Sequence, residues 1–166
     1  MSQPVRRISQ ARGFTLIELL VVITVIAILA GLVLSTAGYV QKKSARSRAE
    51  AEVAALSTAL ESYKAEYGAY PSNSSAGQAG AKILYKALAY SNADHNPGGK
   101  IFIEPAMSML AGTNSQSDTY FADPFGSPYE YRTGTAAVNS GSNFFDLWSA
   151  AGANPPTDTT QWIKNW

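Results

Sequence analysis

The sequence contains no cysteine, a single histidine and, between Pro4 and Pro71, no proline. The lack of cysteine excludes a disulfide framework, thiol catalysis and thiolate metal sites. The formal net charge of +1 gives no electrostatic reason to expect nucleic acid or a strongly acidic partner. Charge is also scarce locally, because Glu18 is the only charged residue from Phe14 to Val40. Together these absences indicate a long uninterrupted helix whose first half is apolar.

The apolar run of residues 14–40 exceeds the roughly 20 residues that a helix needs to cross a bilayer. It lacks the regularly spaced polar residues of a core helix in a soluble protein. The preceding residues 1–13 carry Arg6, Arg7 and Arg12 and no acid, as in the start of a secretory signal, but no clear small-residue cleavage site follows the run. We therefore expect a signal anchor with a transmembrane helix. Basic residues flank the run on both sides, so charge alone leaves its orientation open.

The helix is predicted to continue past the membrane edge. In residues 41–70, apolar side chains recur at steps of three and four, which places them on one helix face. The members of this stripe are Ala49, Val53, Leu56, Leu60, Tyr63 and Tyr67. Gly68 and Pro71 then stop the helix. We expect one nearly continuous helix over residues 14–67, whose amphipathic half packs on a small globular domain of residues 71–166.

The globular part is predicted to be a short helix followed by a small antiparallel sheet. The helix is assigned to residues 81–90, and residues 72–80 before it have the composition of a flexible loop. Three strand-like pieces follow, separated by glycine and proline turns: residues 118–122, 128–132 and 143–149. The predicted fold is therefore α+β, a long helix packed on a sheet of about three strands.

The junction between the basic segment and the apolar run reads RGFTLIE, residues 12–18. It resembles the prepilin cleavage motif of type IV pilins and type II secretion pseudopilins. That motif is a basic leader ending in glycine, then phenylalanine, a carboxylate at the fifth residue of the mature chain, and a long apolar run. The later segments ALESYKAEYGAYP, DPFGSPYEY and FDLWSAAG, with the final NW, are similar to the G-type pseudopilins of type II secretion.

The resemblance implies that residues 1–13 are a leader peptide. A prepilin peptidase, which is also the methyltransferase, would cut between Gly13 and Phe14 and N-methylate the new amine of Phe14. The resemblance also explains the acid in the apolar run. In a filament, Glu18 of one subunit can pair with the Phe14 amine of a neighbour, and losing either partner there leaves an unpaired charge in a medium of low dielectric. Phe14 and Glu18 are thus the expected assembly residues of a helical homopolymer.

The resemblance further implies a bacterial inner-membrane protein with a single membrane span and its C-terminal domain in the periplasm. Subunits would be extracted into a periplasmic filament, the pseudopilus, that drives protein export. The expected partners are minor pseudopilins, the inner-membrane assembly platform and the membrane itself. The family's last loop binds calcium through several aspartates. Here Asp158 is the only acid in that loop, so Asn154 and Asp158 are weak calcium candidates.

Two other functions fit parts of the sequence. A type IV pilin, which forms a surface pilus for adhesion, motility or DNA uptake, shares the N-terminal motif, although many such pilins close their C-terminal region with a disulfide. A monomeric membrane-anchored binding module would need neither cleavage nor Glu18. The sequence contains no G-x-S-x-G, H-E-x-x-H or P-loop motif, and its acids are scattered, so we do not expect an enzyme.

Overall fold

The computed structural model describes residues 13–90, 95–113, 118–153 and 159–166, with the backbone alone for residues 35–37. The chain divides into two compact units, Met1–Gln41 and Lys42–Trp166. Helix α1, Leu16–Tyr67, contributes to both. It ends at the residue predicted from the stripe, and Gly68 follows it at φ 79°, the left-handed conformation in which glycine commonly ends a helix.

In the first unit, α1 is apolar on all sides and exposed. The exposed fractions of its large apolar side chains between Leu16 and Val40 range from 49% to 86%. By length and composition the helix can cross a membrane. The residues of this unit that the structure describes bury none of this surface. In an aqueous environment, an apolar surface of this size needs to be covered by other molecules.

In the second unit, α1 buries the predicted stripe. Ala49, Val53, Leu56, Leu60 and Tyr63 are all 7% exposed or less, and Tyr67 is half-buried against the same core. Further core side chains come from the second helix, the strands and the residues next to them: Leu84, Leu88, Phe121, Tyr129, Tyr131, Phe145, Leu147 and Ile163. The amphipathic half of α1 thus packs on the globular core as the sequence predicts.

Helix α2, Gln78–Leu88, begins three residues earlier than predicted. The glycine content of residues 72–80 indicated a flexible loop, but Gly80 serves close packing instead. A Cβ atom at Gly80 would lie 2.7 Å from Nδ2 of Asn73 and 3.1 Å from the carbonyl oxygen of Tyr131. Glycine at this position therefore lets the first turn of α2 approach the sheet, which a larger residue would prevent.

The α+β prediction is confirmed, but one strand was assigned to the wrong sheet. Strand β1 (Leu110–Ala111) pairs with β2 (Tyr120–Phe121), whereas β3 (Glu130–Thr133), β4 (Phe145–Ser149) and β5 (Ile163–Lys164) form an antiparallel sheet in that order. The predicted strand at residues 118–122 therefore belongs to a separate two-stranded pair. The third strand of the main sheet comes from the end of the chain, where no strand was predicted.

Asn165 extends the pairing of β5 with β4. Its side-chain Oδ1 accepts a 2.7 Å hydrogen bond from the backbone N–H of Leu147, and its Nδ2 donates a 3.1 Å bond to the carbonyl of Phe145. The indole of Trp148 stacks on Trp162 with ring centroids 5.3 Å apart. These side-chain contacts add to the short backbone pairing of β5, which has only two residues. Strand propensity does not predict such contacts.

Candidate functional site

The expected cleavage bond lies just before α1. Gly13, Phe14 and Thr15 are non-helical and exposed, and the side chain of Phe14 is 83% exposed. No atom lies within 4 Å of a Cβ atom placed at Gly13. Residues 1–12 of the expected leader lie outside the described residues. The Gly13–Phe14 bond is therefore sterically open within the part of the chain that the structure describes.

Thr15 and Glu18 form a reciprocal pair of contacts at the start of α1. The backbone N–H and the hydroxyl of Thr15 donate to Oε2 of Glu18 at 2.9 and 2.8 Å. The backbone N–H of Glu18 donates to Oγ1 of Thr15 at 3.3 Å. This is a capping box, which satisfies N–H groups that the first helical turn leaves without partners. It also places a negative charge at the positive end of the helix dipole.

Glu18 therefore has a role within its own subunit that we had not predicted. The signal was present in the sequence, because Thr-x-x-Glu before an apolar helix is the usual capping-box pattern. The box occupies Oε2, whereas Oε1 of Glu18 accepts no hydrogen bond from any described residue. The capping box orients the Glu18 carboxylate but does not neutralise its charge. The carboxylate can therefore still pair with a cation from outside the helix.

The structure does not reach the two weak calcium candidates, since Asn154 and Asp158 lie outside the described residues. Within the described ranges, no group of three or more histidine, aspartate or glutamate side chains is placed to hold a metal ion. The buried carboxylate of Asp123 instead accepts backbone N–H bonds from Phe125 at 3.0 Å and Ser127 at 2.8 Å. It organises the turn that the DPFGSPY segment predicted.

Asp146 is a second buried acid with a structural role. Burial penalises its charge, but hydrogen bonds from Asn139 and Ser140 outweigh this effect and lower its pKa. These bonds come from the backbone N–H and side-chain amide of Asn139, both at 3.0 Å, and from the backbone N–H of Ser140 at 2.8 Å. The hydrogen bonds of Asp123 and Asp146 thus indicate a structural role for both carboxylates.

The sequence is similar to those of known proteins. Residues 8–34 match the prokaryotic N-terminal methylation motif family. The chain is 31% identical over 167 residues to the type II secretion system core protein G of Escherichia coli K12, an alignment that covers 97% of this chain and 94% of that protein. It is 32% identical over 163 residues to the core protein G of Pseudomonas aeruginosa PAO1, covering 95% of this chain and 96% of that protein. No solved structure matches the chain.

The methylation motif includes the Gly13–Phe14 bond and the capping box, while the two longer alignments extend over nearly the whole chain, including the globular core. The similarity is therefore not confined to the apolar helix, a segment whose simple composition alone would be weak evidence. The chain belongs to the family of the type II secretion system core protein G.

Proposed function

We propose that this chain is the structural subunit of a periplasmic pseudopilus, a helical homopolymer that drives protein export by type II secretion. Family membership supports the link to secretion. The exposed apolar half of α1 offers a large surface that neighbouring subunits can bury against one another. The observation that carries the proposal is the Glu18 carboxylate, which lies in the first turn of this apolar helix with one oxygen unpaired by the described residues.

Processing precedes assembly in this proposal. A prepilin peptidase cuts the exposed Gly13–Phe14 bond, and the same enzyme methylates the amine of Phe14. The residues around this bond are not helical, as a protease needs for binding substrate in an extended form. The methylation-motif match supports the same step. The new terminus is a cation, and it is four residues from the only acid of the apolar run.

In the assembly step, the Phe14 amine of one subunit pairs with Glu18 of its neighbour. The apolar contacts between helices are non-directional and would allow subunits to slide along one another. An ion pair in a low dielectric fixes the axial register, because any other register leaves both charges without a partner. The capping box keeps the Glu18 carboxylate at the start of the helix, but the pairing depends on the charge of Glu18 rather than on the box.

Before assembly, the subunit is held in the inner membrane by the apolar half of α1, with the second unit in the periplasm. Minor pseudopilins and the inner-membrane assembly platform are the partners that start and extend the filament. Family membership and a helix long and apolar enough to cross a bilayer support this topology.

The test separates the two roles of Glu18. Glu18→Gln keeps a side chain that can form a capping box but removes the charge. Thr15→Val removes the hydroxyl of the box and keeps the charge. We expect Glu18→Gln to insert and be processed yet to form few filaments, whereas Thr15→Val assembles nearly normally. Thr24→Val is the matched control, because among the described residues the Thr24 hydroxyl bonds only to the Leu20 carbonyl of its own helix.

The measurements are mass spectrometry of the native N-terminus, electron microscopy of sheared cells and export of a secreted protein. Wild-type filament yield with Glu18→Gln, combined with loss of filaments with Thr15→Val, would show that capping matters and ion pairing does not. An intact, monomeric chain that still begins at Met1 would contradict both processing and polymerisation. Long surface fibres in place of short periplasmic ones would indicate a type IV pilus instead.

A further inference from the structure

Four basic residues follow the apolar run, and the two arginines among them are already paired within the second unit. Nε of Arg46 lies 3.3 Å from Oε1 of Glu50, and its guanidinium also donates a 2.9 Å bond to the carbonyl of Gln161. The guanidinium of Arg48 lies 3.5 Å from Oε1 of Glu52. These arginines contribute to the packing of the globular part.

The two lysines differ from the arginines in this respect. Lys42 and Lys43 are exposed, and neither forms an ion pair or a side-chain hydrogen bond with any described residue. Glu50 and Glu52, the nearest acids along α1, are engaged by the arginines. Two adjacent positive charges therefore remain available for a partner outside the chain.

The position of the lysines along the chain indicates where that partner lies. Residues 16–40 of α1 span about 37 Å at about 1.5 Å per residue, somewhat more than the roughly 30 Å of a bilayer's hydrocarbon core. Tyr39, 73% exposed, is the aromatic residue at the far end of this run, and tyrosine is enriched at the membrane–water interface. Lys42 and Lys43 follow Tyr39 by three and four residues, so they reach the depth of the phospholipid headgroups.

We propose that Lys42 and Lys43 bind the phosphate of anionic phospholipid headgroups, and that this contact retains the unassembled subunit in the bilayer. The inference rests on the membrane insertion in the proposed function. A lysine ammonium is a compact charge on a flexible stem, and it binds phosphate as a point charge. An acidic surface on a second copy is the less favoured partner, because the acids near these lysines already have arginine partners.

The contact has a consequence for assembly. A subunit that leaves the bilayer for the filament must give up its lipid phosphates, whereas a subunit without the two lysines would leave more readily. The anionic lipid content of the membrane would therefore influence how many subunits are ready to assemble. Each lysine near an anionic surface strengthens association by about fivefold, and salt weakens the effect.

The experiment uses the full chain reconstituted into vesicles of phosphatidylcholine with phosphatidylglycerol. Spin-labelled forms of the two lipids report which one the protein retains at its surface. The double variant Lys42→Gln with Lys43→Gln is compared with Lys86→Gln with Lys164→Gln, which removes the same charge from α2 and β5. We expect the wild-type chain and the control to prefer phosphatidylglycerol, and the Lys42/Lys43 variant to lose at least about fivefold of that preference.

An unchanged preference in the Lys42/Lys43 variant would overturn the inference and leave the proposed function intact. Loss of self-association in pure phosphatidylcholine, with lipid preference unaltered, would also overturn it, by assigning the lysines to a second copy. A wild-type chain that fails to insert would overturn the proposed membrane anchor, and this inference with it. A preference that weakens at high salt in the wild-type chain, and is already weaker by at least about fivefold in the variant, would support the inference.

Discussion

The phenol of Tyr129 donates a 2.7 Å hydrogen bond to Oε2 of Glu52, which links the residue before β3 to helix α1. Tyr129 is fully buried, and the side chain of Glu52 is 13% exposed. Burial raises the pKa of Tyr129, and the contact with Glu52 raises it further, so the phenol remains a donor. A polar contact thus joins the helix to the sheet inside a mainly apolar core.

The second unit should fold by itself. A fragment of residues 42–166 contains every member of the hydrophobic core, from Ala49 to Ile163. We expect it to be soluble and monomeric and to unfold in a single cooperative transition, as small domains usually do. Circular dichroism and fluorescence during urea titration measure this, with coincident curves as the criterion. Non-coincident curves, or strong binding of a hydrophobic dye, would show that the first unit is needed for packing.

Replacing Tyr129 with phenylalanine should destabilise this fragment. The variant leaves Glu52 with one donor fewer in a largely buried position, which costs about 1–3 kcal/mol of unfolding free energy. Urea titration measures the change. Tyr120→Phe is the control, because the one bond of the Tyr120 hydroxyl within the described part of the chain is a 3.2 Å bond that it accepts from Gln78 at the exposed surface. Equal losses of unfolding free energy in the two variants would show that the hydrogen bond to Glu52 contributes no more to stability than the exposed bond to Gln78.

Alkaline pH should also destabilise the second unit. Burial raises the pKa values of four tyrosines above the ordinary value of about 10: Tyr63, Tyr70, Tyr129 and Tyr131. Above that pH the unfolded chain releases phenolic protons that the folded chain keeps. The contribution of these tyrosines to the unfolding free energy is therefore constant below about pH 10 and falls at higher pH.

Urea midpoints measured at a series of alkaline pH values test this dependence. Tyr131→Phe removes one of the four titrating groups and should flatten the decline, even though it lowers stability at neutral pH. A variant whose midpoint declines as steeply as that of the wild type above about pH 10 would contradict the assignment of this slope to the buried phenols.

Asn165→Ala should weaken the edge of the main sheet. The substitution removes the partners of the Leu147 N–H and the Phe145 carbonyl, both in the buried strand β4. We expect a loss of about 1–3 kcal/mol in unfolding free energy, with hydrogen exchange at the Leu147 amide becoming faster. Asn143→Ala, an exposed position just before β4, serves as the control and should change stability little. Unchanged exchange at Leu147 would contradict the role of Asn165.

The parts of the fold that follow from local periodicity could be predicted from the sequence. The stripe from Ala49 to Tyr63 and the stop at Gly68 located the second half of α1 correctly, because burial on one face imposes a period of three to four residues. The start of α2 could not be located in this way. Composition alone does not distinguish a glycine in a flexible loop from a glycine at a close contact. For Gly80, only the distance to Tyr131 distinguishes the two cases.

Strand pairing was the weakest part of the prediction, for a physical reason. Strands β1, β2 and β5 have two residues each, too few to show an alternating pattern. Their partners are set by contacts between segments distant in sequence, such as the bonds that Asn165 makes to β4. At the candidate site, the motif predicts processing and assembly roles for Gly13, Phe14 and Glu18, and these roles stay predictions. The structure adds the capping role of Glu18, which the Thr-x-x-Glu pattern could have indicated.

The short distance along the chain between the proposed cleavage bond and α1 would affect the entropy of the proposed assembly. Cutting after Gly13 leaves Phe14 and Thr15 as the only residues ahead of the helix, and the capping box already restrains the second of them. The chain that results from the proposed cleavage would therefore begin with a single unrestrained residue. Ordering a backbone residue costs roughly 1–2 kcal/mol. A longer tail would have to be immobilised each time a subunit joined the proposed filament, whereas here only Phe14 would still have to be ordered.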